Sequence, residues 1–287
     1  MRKALKVLLI LLLAALVLAA AYVAYVFLAY HRIPDNQALT VENPVSNTLR
    51  PGGTYRAISY NIGFGAYEDD YSFFMDGGTE SWAWSEERLK ENLNEIAALL
   101  QKEDADFYLL EEVDVDATRT YHFDESAVLR SALSDRTCVY AQNYDSPFLL
   151  YPFTQPHGAS KAGMLTFSRY AITSTLRRSL PIEGGFRKFR DLDRCYSVCR
   201  LPVENGRELV LYTLHLSAYS ADGSISVEQL KLLLADMRAE YEKGNYCVAG
   251  GDFNKDLLGD SAQWFGEADQ DYTWAQPLPD GILDGTI

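Results

Sequence analysis

Tyr246-Cys247-Val248-Ala249-Gly250-Gly251-Asp252-Phe253-Asn254 starts as a short apolar run and ends in a carboxylate and an amide. The apolar part reads as a buried strand. The two glycines break it. On an extended chain, side chains two residues apart point to the same side. Asp252 and Asn254 are therefore expected to aim hard oxygen donors into one space at a strand end. Such donors suit a hydrated divalent cation such as Mg²⁺, which takes few protein oxygens and keeps several waters. A lone Gly-Asp-x-Asn is more often a polar turn after a core strand. The weight of the motif depends on what the other strand ends carry.

Three other strand ends carry the same kind of group. Residues 55–62 alternate apolar and polar side chains and read as a strand ending at Asn61. A Gly-, Tyr- and Asp-rich loop over 63–81 follows, whose aromatics either line a substrate mouth or pack on the domain. Ser85 is expected to cap a helix running to about Glu103, with Leu89, Leu93, Ile96, Ala97 and Leu100 on one face. Asp106–Val113 is an apolar strand that runs into Glu111 and Glu112. A β-helix-β pass of this length puts both strand ends on one side of a sheet, so Asn61 and the Glu pair become neighbours. A short helix over Ser126–Leu133 and a strand over Thr137–Gln142 come next. Residues 143–161 read as a long loop with His157 and Lys161. Gly163–Phe167 and Ala171–Leu176 read as strands. Arg194–Leu201 and Arg207–His215 form a hairpin across Asn205-Gly206, and its second strand delivers His215. Ser226-Val227-Glu228-Gln229 is a capping box for a helix with Leu230, Leu233, Leu234, Met237 and Tyr241 on one face. Gly244 closes that helix.

The 287 residues are 48% hydrophobic, enough for one large domain or two small ones. The formal charge is −14, but residues 1–32 hold four basic side chains and no acid, so the remainder carries −18. Such a surface lacks a broad basic face for nucleic acid and is not expected to adsorb to anionic lipid. Arg187, Lys188, Arg190 and Arg194 form its one basic cluster. Cys138, Cys195, Cys199 and Cys247 lack zinc spacing and read as free, buried thiols. Pairing of two of them stays open outside the cell. Residues 7–30 contain no charge, and about 20 apolar residues span a bilayer. Lys3 and Lys6 precede the run, and Tyr22, Tyr25 and Tyr30 close it. The reading is an N-inside transmembrane helix over 1–32 with an exported domain. A cleaved signal peptide with Ala19-Ala20-Ala21 as its small-residue site is the rival, and the length of the run favours the anchor. Residues 33–53, with three prolines and Gly52-Gly53, read as a linker, and the globular domain is placed at 54–287.

Ile58-Ser59-Tyr60-Asn61, Asp106–Val113, Tyr212-Thr213-Leu214-His215-Leu216 and Gly251-Asp252-Phe253-Asn254 together resemble the endonuclease/exonuclease/phosphatase, or deoxyribonuclease I-like, family. Gly163–Arg169 resembles its middle strand pair. The likeness covers about residues 54–275. It implies an α+β fold: a four-layer α/β/β/α sandwich of two mixed sheets. It implies Mg²⁺-dependent hydrolysis of a phosphate ester, with Mn²⁺ as the alternative ion. By position, Glu112 resembles the main metal ligand, with Asn61 beside it. Asp252 and Asn254 resemble residues that orient the attacking water and hold the phosphate. His215 resembles a donor to phosphate oxygens, and Arg194 a phosphate-contacting arginine. Glu111 stands where relatives usually have Gln and is expected to add negative charge.

One departure matters. Relatives close with a further strand ending in Ser-Asp-His or similar, and no histidine follows His215 here. Asp284 is the nearest match to the orienting Asp. The resemblance therefore implies a missing C-terminal strand, an unpaired sheet edge, a tendency to aggregate and weak turnover, with His157 as the nearest substitute imidazole. Two functions follow. The first is an exported, membrane-tethered phosphoesterase acting on nucleic acid, a phospholipid head group or a soluble ester. The second is a catalytically impaired relative that binds a phosphorylated ligand or a protein at the cell surface. No obligate protein partner is implied.

Overall fold

A computed structural model describes residues 2–191, 193–218, 224–259, 261–266 and 276–283. Asp284, named above, lies outside the described residues, as does the side chain of Arg190. In chain order the elements are α1 (Arg2–Ala29), β1 (Gln37–Ala38), β2 (Val41–Glu42), β3 (Ala57–Asn61), α2 (Glu86–Glu103), β4 (Phe107–Ala117), α3 (Glu125–Ala132), β5 (Thr137–Leu149) and β6 (Gly158–Ser168). They continue with β7 (Ser174–Ser179), α4 (Lys188–Asp191), β8 (Cys195–Pro202), β9 (Glu208–His215), α5 (Ser224–Glu242), β10 (Tyr246–Asp252), β11 (Lys255–Asp256), α6 (Ser261–Phe265) and β12 (Gln276–Pro277).

Two five-stranded sheets dominate, in the orders β1-β7-β8-β9-β10 and β2-β5-β6-β4-β3. Each is antiparallel except for its last pair: β10 runs parallel to β9, and β3 parallel to β4. Period-2 alternation explains the layers. In β4, Tyr108 and Leu110 face the core beneath α2 and α3, while Phe107 and Leu109 face the other sheet. In β9, Val210, Tyr212 and Leu214 face α5, while Leu211 joins Phe107 and Leu109 between the sheets. A hydroxyl pair, Thr166 and Thr213 at 2.6 Å, also bridges the two sheets. This is the expected α/β/β/α sandwich of mixed sheets.

Local signals account for the helices. The Ser85 side chain accepts the Arg88 N–H at 3.2 Å, and the five apolar residues expected on the inner face of α2 are all buried. Helix α5 starts two residues before the expected cap and buries Leu230, Leu233 and Met237. Tyr241, expected on that face, is exposed.

Three expectations need correction. Residues 33–53 are not a free linker. β1 pairs with β7 and β2 with β5, and Leu49 is buried beside Val203. Asp35 pairs with Arg178 and accepts the Ser179 N–H at 2.7 Å. Short strand additions with one buried leucine lack the periodicity that marks longer strands. Second, 143–161 is mostly sheet, because β5 runs to Leu149 and β6 starts at Gly158. Third, β10 is not the buried strand that its apolar run suggests. Among the described residues it forms the edge of its sheet, with Tyr246 and Val248 exposed. The four cysteines are free, and all but Cys247 are buried.

Candidate active site

The parallel pairs bring four strand ends to one place. Asn61 sits opposite Glu111 at the end of β3, and Asp252 sits opposite His215 where β9 and β10 end. Glu112 turns inward at a break in the β4–β6 register between Leu110 and Val113, with φ of 56°. A bulge of this kind re-aims a side chain. Gly251 brings β10 in close: with φ of 138°, an added Cβ would lie 2.0 Å from the Leu214 carbonyl oxygen.

The Asn61 amide ties the centre together. Its Nδ2 donates to Glu112 Oε1 at 3.0 Å and to Asp252 Oδ2 at 2.9 Å, while its Oδ1 accepts the Gly63 N–H at 3.0 Å. His215 Nε2 lies 3.6 Å from Asp252 Oδ2 and 4.0 Å from Glu112 Oε1. Asp252 and Asn254 share the site, though by a turn rather than by strand alternation. Asn254 has φ of 47°, its N–H donates to Asp252 Oδ1 at 2.8 Å, and its Nδ2 donates to the Leu216 carbonyl at 2.8 Å. Arg194, directly before β8, lines the same cavity of about 430 Å³ with Asn61, Glu112, His215, Asp252 and Asn254. Every site residue expected from the sequence is therefore in one place.

The electrostatics separate the two carboxylates. Burial opposes the charge of Asp252, but His215, the Asn61 amide, the Asn254 N–H and Arg194 hold it below the usual carboxylate range. Burial raises Glu112, against the pull of Arg119 and Asn61. Burial and the nearby Arg194 push His215 down to about 3, so its imidazole is neutral at neutral pH. Glu111 corrects an expectation. It is fully buried with no hydrogen-bond partner for either oxygen, and burial together with Asp252 and Glu112 pushes its carboxyl well above the usual range. Burial and its acidic neighbours thus disfavour the negative charge expected of it at the site.

The donor set fits a divalent cation. Two carboxylates, aligned by the Asn61 Nδ2 that donates to both, converge on an open cavity, and a hydrated Mg²⁺ needs few protein ligands. No larger metal-holding cluster of His, Cys, Asp or Glu occurs among the described residues.

Sequence reasoning missed part of the wall. Arg119 donates from Nε and Nη2 to Asp114 at 2.8 Å each, lies 3.7 Å from the Phe64 ring centroid, and lines the cavity. The only signal was an Arg five residues after an Asp, and nothing in the spacing gave its burial. Tyr144 and Asn143, which read as loop in the sequence, line the cavity from β5. The 63–81 segment does both things expected of it. Phe64 and Phe73 are buried in the core, and Tyr67, Phe73 and Met75 line the cavity. His157 is buried in the same wall, and desolvation lowers it to about 3.

A sequence model of the endonuclease/exonuclease/phosphatase family matches residues 58–283. The chain belongs to this family. Endonuclease/exonuclease/phosphatase proteins are hydrolases of phosphate esters and generally use divalent metals. Several solved structures are similar to this chain. A Beutenbergia cavernae family member is 21% identical over 63% of this chain and 43% of its own, with TM-score 0.45. The present chain therefore spans less than half of that protein. A Leptotrichia buccalis family member is 15% identical over 74% of this chain and 71% of its own, with TM-score 0.49. ANGEL2, described as a 2′,3′-cyclic phosphatase, is 17% identical over 87% of this chain and 68% of its own, with TM-score 0.50. No curated protein matches the sequence.

Proposed function

We propose that the protein is an exported, membrane-tethered, Mg²⁺-dependent phosphoesterase. The observation that carries the reading is the convergence of Asn61, Glu112, Arg194, His215, Asp252 and Asn254 on one cavity. Glu112 would be the main holder of Mg²⁺ (or Mn²⁺), with Asn61 beside it positioning the carboxylate through Nδ2; the ion would supply positive charge to the phosphoryl oxygens and to a bound water. Asp252, held ionised by its neighbours, orients the attacking water and accepts its proton. Neutral His215 donates to a phosphoryl oxygen. Arg194 binds the phosphate, and Asn254 holds the turn that sets Asp252. The apolar α1, with Lys3 and Lys6 at its start, supports a single span with the N-terminus inside.

The test is hydrolysis of bis(p-nitrophenyl) phosphate by the full chain with and without Mg²⁺. The wild type should turn over with Mg²⁺ and gain thermal midpoint from Mg²⁺ or Mn²⁺, and Glu112→Gln should do neither. Equal midpoint shifts in both proteins contradict the metal assignment. A membrane-impermeant amine reagent added to intact cells should label lysines of the domain; absence of labelling contradicts export. A second reading, binding of a phosphorylated ligand without turnover, has one observation in its favour. Both imidazoles in the cavity wall, His157 and His215, are neutral, so neither offers a cationic acid to a leaving group. Metal binding without hydrolysis would select it.

A further inference from the structure

The end of α1 is docked on the domain. The Tyr22 hydroxyl donates to the Phe148 carbonyl at 3.3 Å and accepts the Leu150 N–H at 2.8 Å. The Tyr25 hydroxyl accepts the Phe148 N–H at 3.2 Å. Val26 is buried against Phe189, with Tyr144 and Leu149 alongside. The Phe27 ring meets Phe186 and Phe189 edge-on at 5.0 and 5.3 Å.

Length sets the depth of these contacts. A hydrocarbon core of about 30 Å takes about 20 helical residues at about 1.5 Å each. With Lys6 at the inner boundary, the uncharged run from Val7 reaches the outer boundary near Val26. Tyr22 then lies about 6 Å inside that boundary, at about 1.5 Å per residue. Helical side chains lean toward the N-terminus, so the Tyr22 ring is not carried outward. The backbone at 148–150, bonded to its hydroxyl, reaches the bilayer surface with it.

The side chains around this contact suit that position. Tyr151, Phe153 and Phe186 are 64%, 83% and 69% exposed on a domain whose surface is otherwise strongly acidic. Lys188 sits 3.5 Å from the Tyr30 ring centroid and 4.8 Å from that of Phe27. Aromatic rings with interspersed cations are the composition of a membrane–water interface. The same surface continues into the cavity. Tyr144 lines the cavity, and its hydroxyl donates to the Phe189 carbonyl at 3.2 Å. His157 lines it too, and the Phe74 ring lies 5.8 Å from both His157 and Tyr151.

We propose that Tyr151, Phe153 and Phe186 form a bilayer-contact surface seating the domain on the membrane that α1 enters, and that the phosphate ester taken by the cavity is carried on a lipid of that bilayer. The occupant of the surface is the bilayer because the surface is continuous with the span. The inference rests on α1 as a span and on the phosphoesterase reading, and it chooses among the substrates which that reading leaves open.

The full chain is reconstituted in phosphatidylcholine nanodiscs containing minor phosphatidylglycerol and phosphatidic acid. Phe153→Cys, Phe186→Cys and, as a distant control on the β8–β9 turn, Glu204→Cys carry an environment-sensitive dye, read against the labelled parent chain. A spin-labelled lipid should quench the dye at 153 and 186 and leave it bright at 204. Equal signals at all three sites, with α1 resistant to alkaline extraction, overturn the surface, and a dimer in the disc under that outcome assigns the patch to a second copy. Tyr151→Ser/Phe153→Ser should lower release of soluble phosphate from the disc lipids by about fivefold or more, through lost apolar contact at the interface. Its turnover of bis(p-nitrophenyl) phosphate should be unchanged. Equal loss on both substrates, or on neither, overturns the lipid-borne substrate. Absence of any hydrolysis in the parent chain defeats the phosphoesterase reading instead, and the quenching result still decides the surface.

Discussion

Arg194 and His215 contribute in different ways although they share one cavity wall. Arg194 brings a fixed charge, while His215, neutral at neutral pH, brings a hydrogen-bond donor. Inorganic phosphate should bind more weakly to Arg194→Ala and His215→Ala, by about 1–3 kcal/mol for a lost hydrogen bond to a charged group. Calorimetric titration checks this, and unchanged affinity in folded variants returns both residues to a packing role. Arg119 differs in kind. Its guanidinium is paired through two 2.8 Å bonds with a fully buried Asp114. Arg119→Met leaves that carboxylate buried and unpaired, so it should destabilise by about 3–5 kcal/mol. The double variant Asp114→Asn/Arg119→Met should recover part of the loss in a urea melt. A double variant no more stable than the single one would argue against the pair as the cause.

Among the elements, α5 is fastened at its C-terminal end by ionic contacts more than by packing. Glu240 accepts from Arg200, Lys243 and Asn245 at 2.6, 2.7 and 2.8 Å. These contacts, led by Arg200, lower its carboxyl to about 2. A carboxyl depressed on folding stabilises the native state above its unfolded pKa of about 4.3. That stability is lost as pH falls through the folded value. Glu240→Gln should therefore melt lower than wild type at pH 7, by about 1.5–3 kcal/mol. The difference should shrink from about pH 5 and be gone near pH 2. A constant gap over that range would mean that the Gln variant loses packing rather than charge. Helix α2 is the contrasting case, since an amphipathic stripe with a Ser85 cap already specifies its inner face.

Across the whole molecule, residues 33–53 join α1 to both sheets. β1 extends one sheet and β2 the other, and Asp35 reaches Arg178 and the Ser179 N–H. The domain therefore follows the helix rather than swinging from it. Limited proteolysis of the full chain in nanodiscs should leave 33–53 uncut while the protein stays folded. Early cleavage there would restore the picture of a loose tether. With α1 as the proposed span, the same rigidity would carry the cavity and the aromatic surface at a set height above the bilayer.

Local patterns along the chain set the strand ends. A strand that runs into Glu111-Glu112, a Thr-x-His strand and a Gly-Asp-Phe-Asn turn are local patterns, and β-helix-β handedness brings two of them to one side of a sheet. The α2 stripe and the Asn205-Gly206 turn were legible for the same reason: each is short-range geometry. Tertiary structure decided the rest. Whether β10 is covered depends on its neighbours, not on its apolar composition. The raised carboxyl of Glu111 and the depth of Arg119 depend on burial, which no spacing encodes. The inward turn of Glu112 follows from a bulge against β6. The docking of residues 33–53 and of Tyr22 beside Phe148 joins segments more than a hundred residues apart, and contacts at that separation exist only once the sheets have closed.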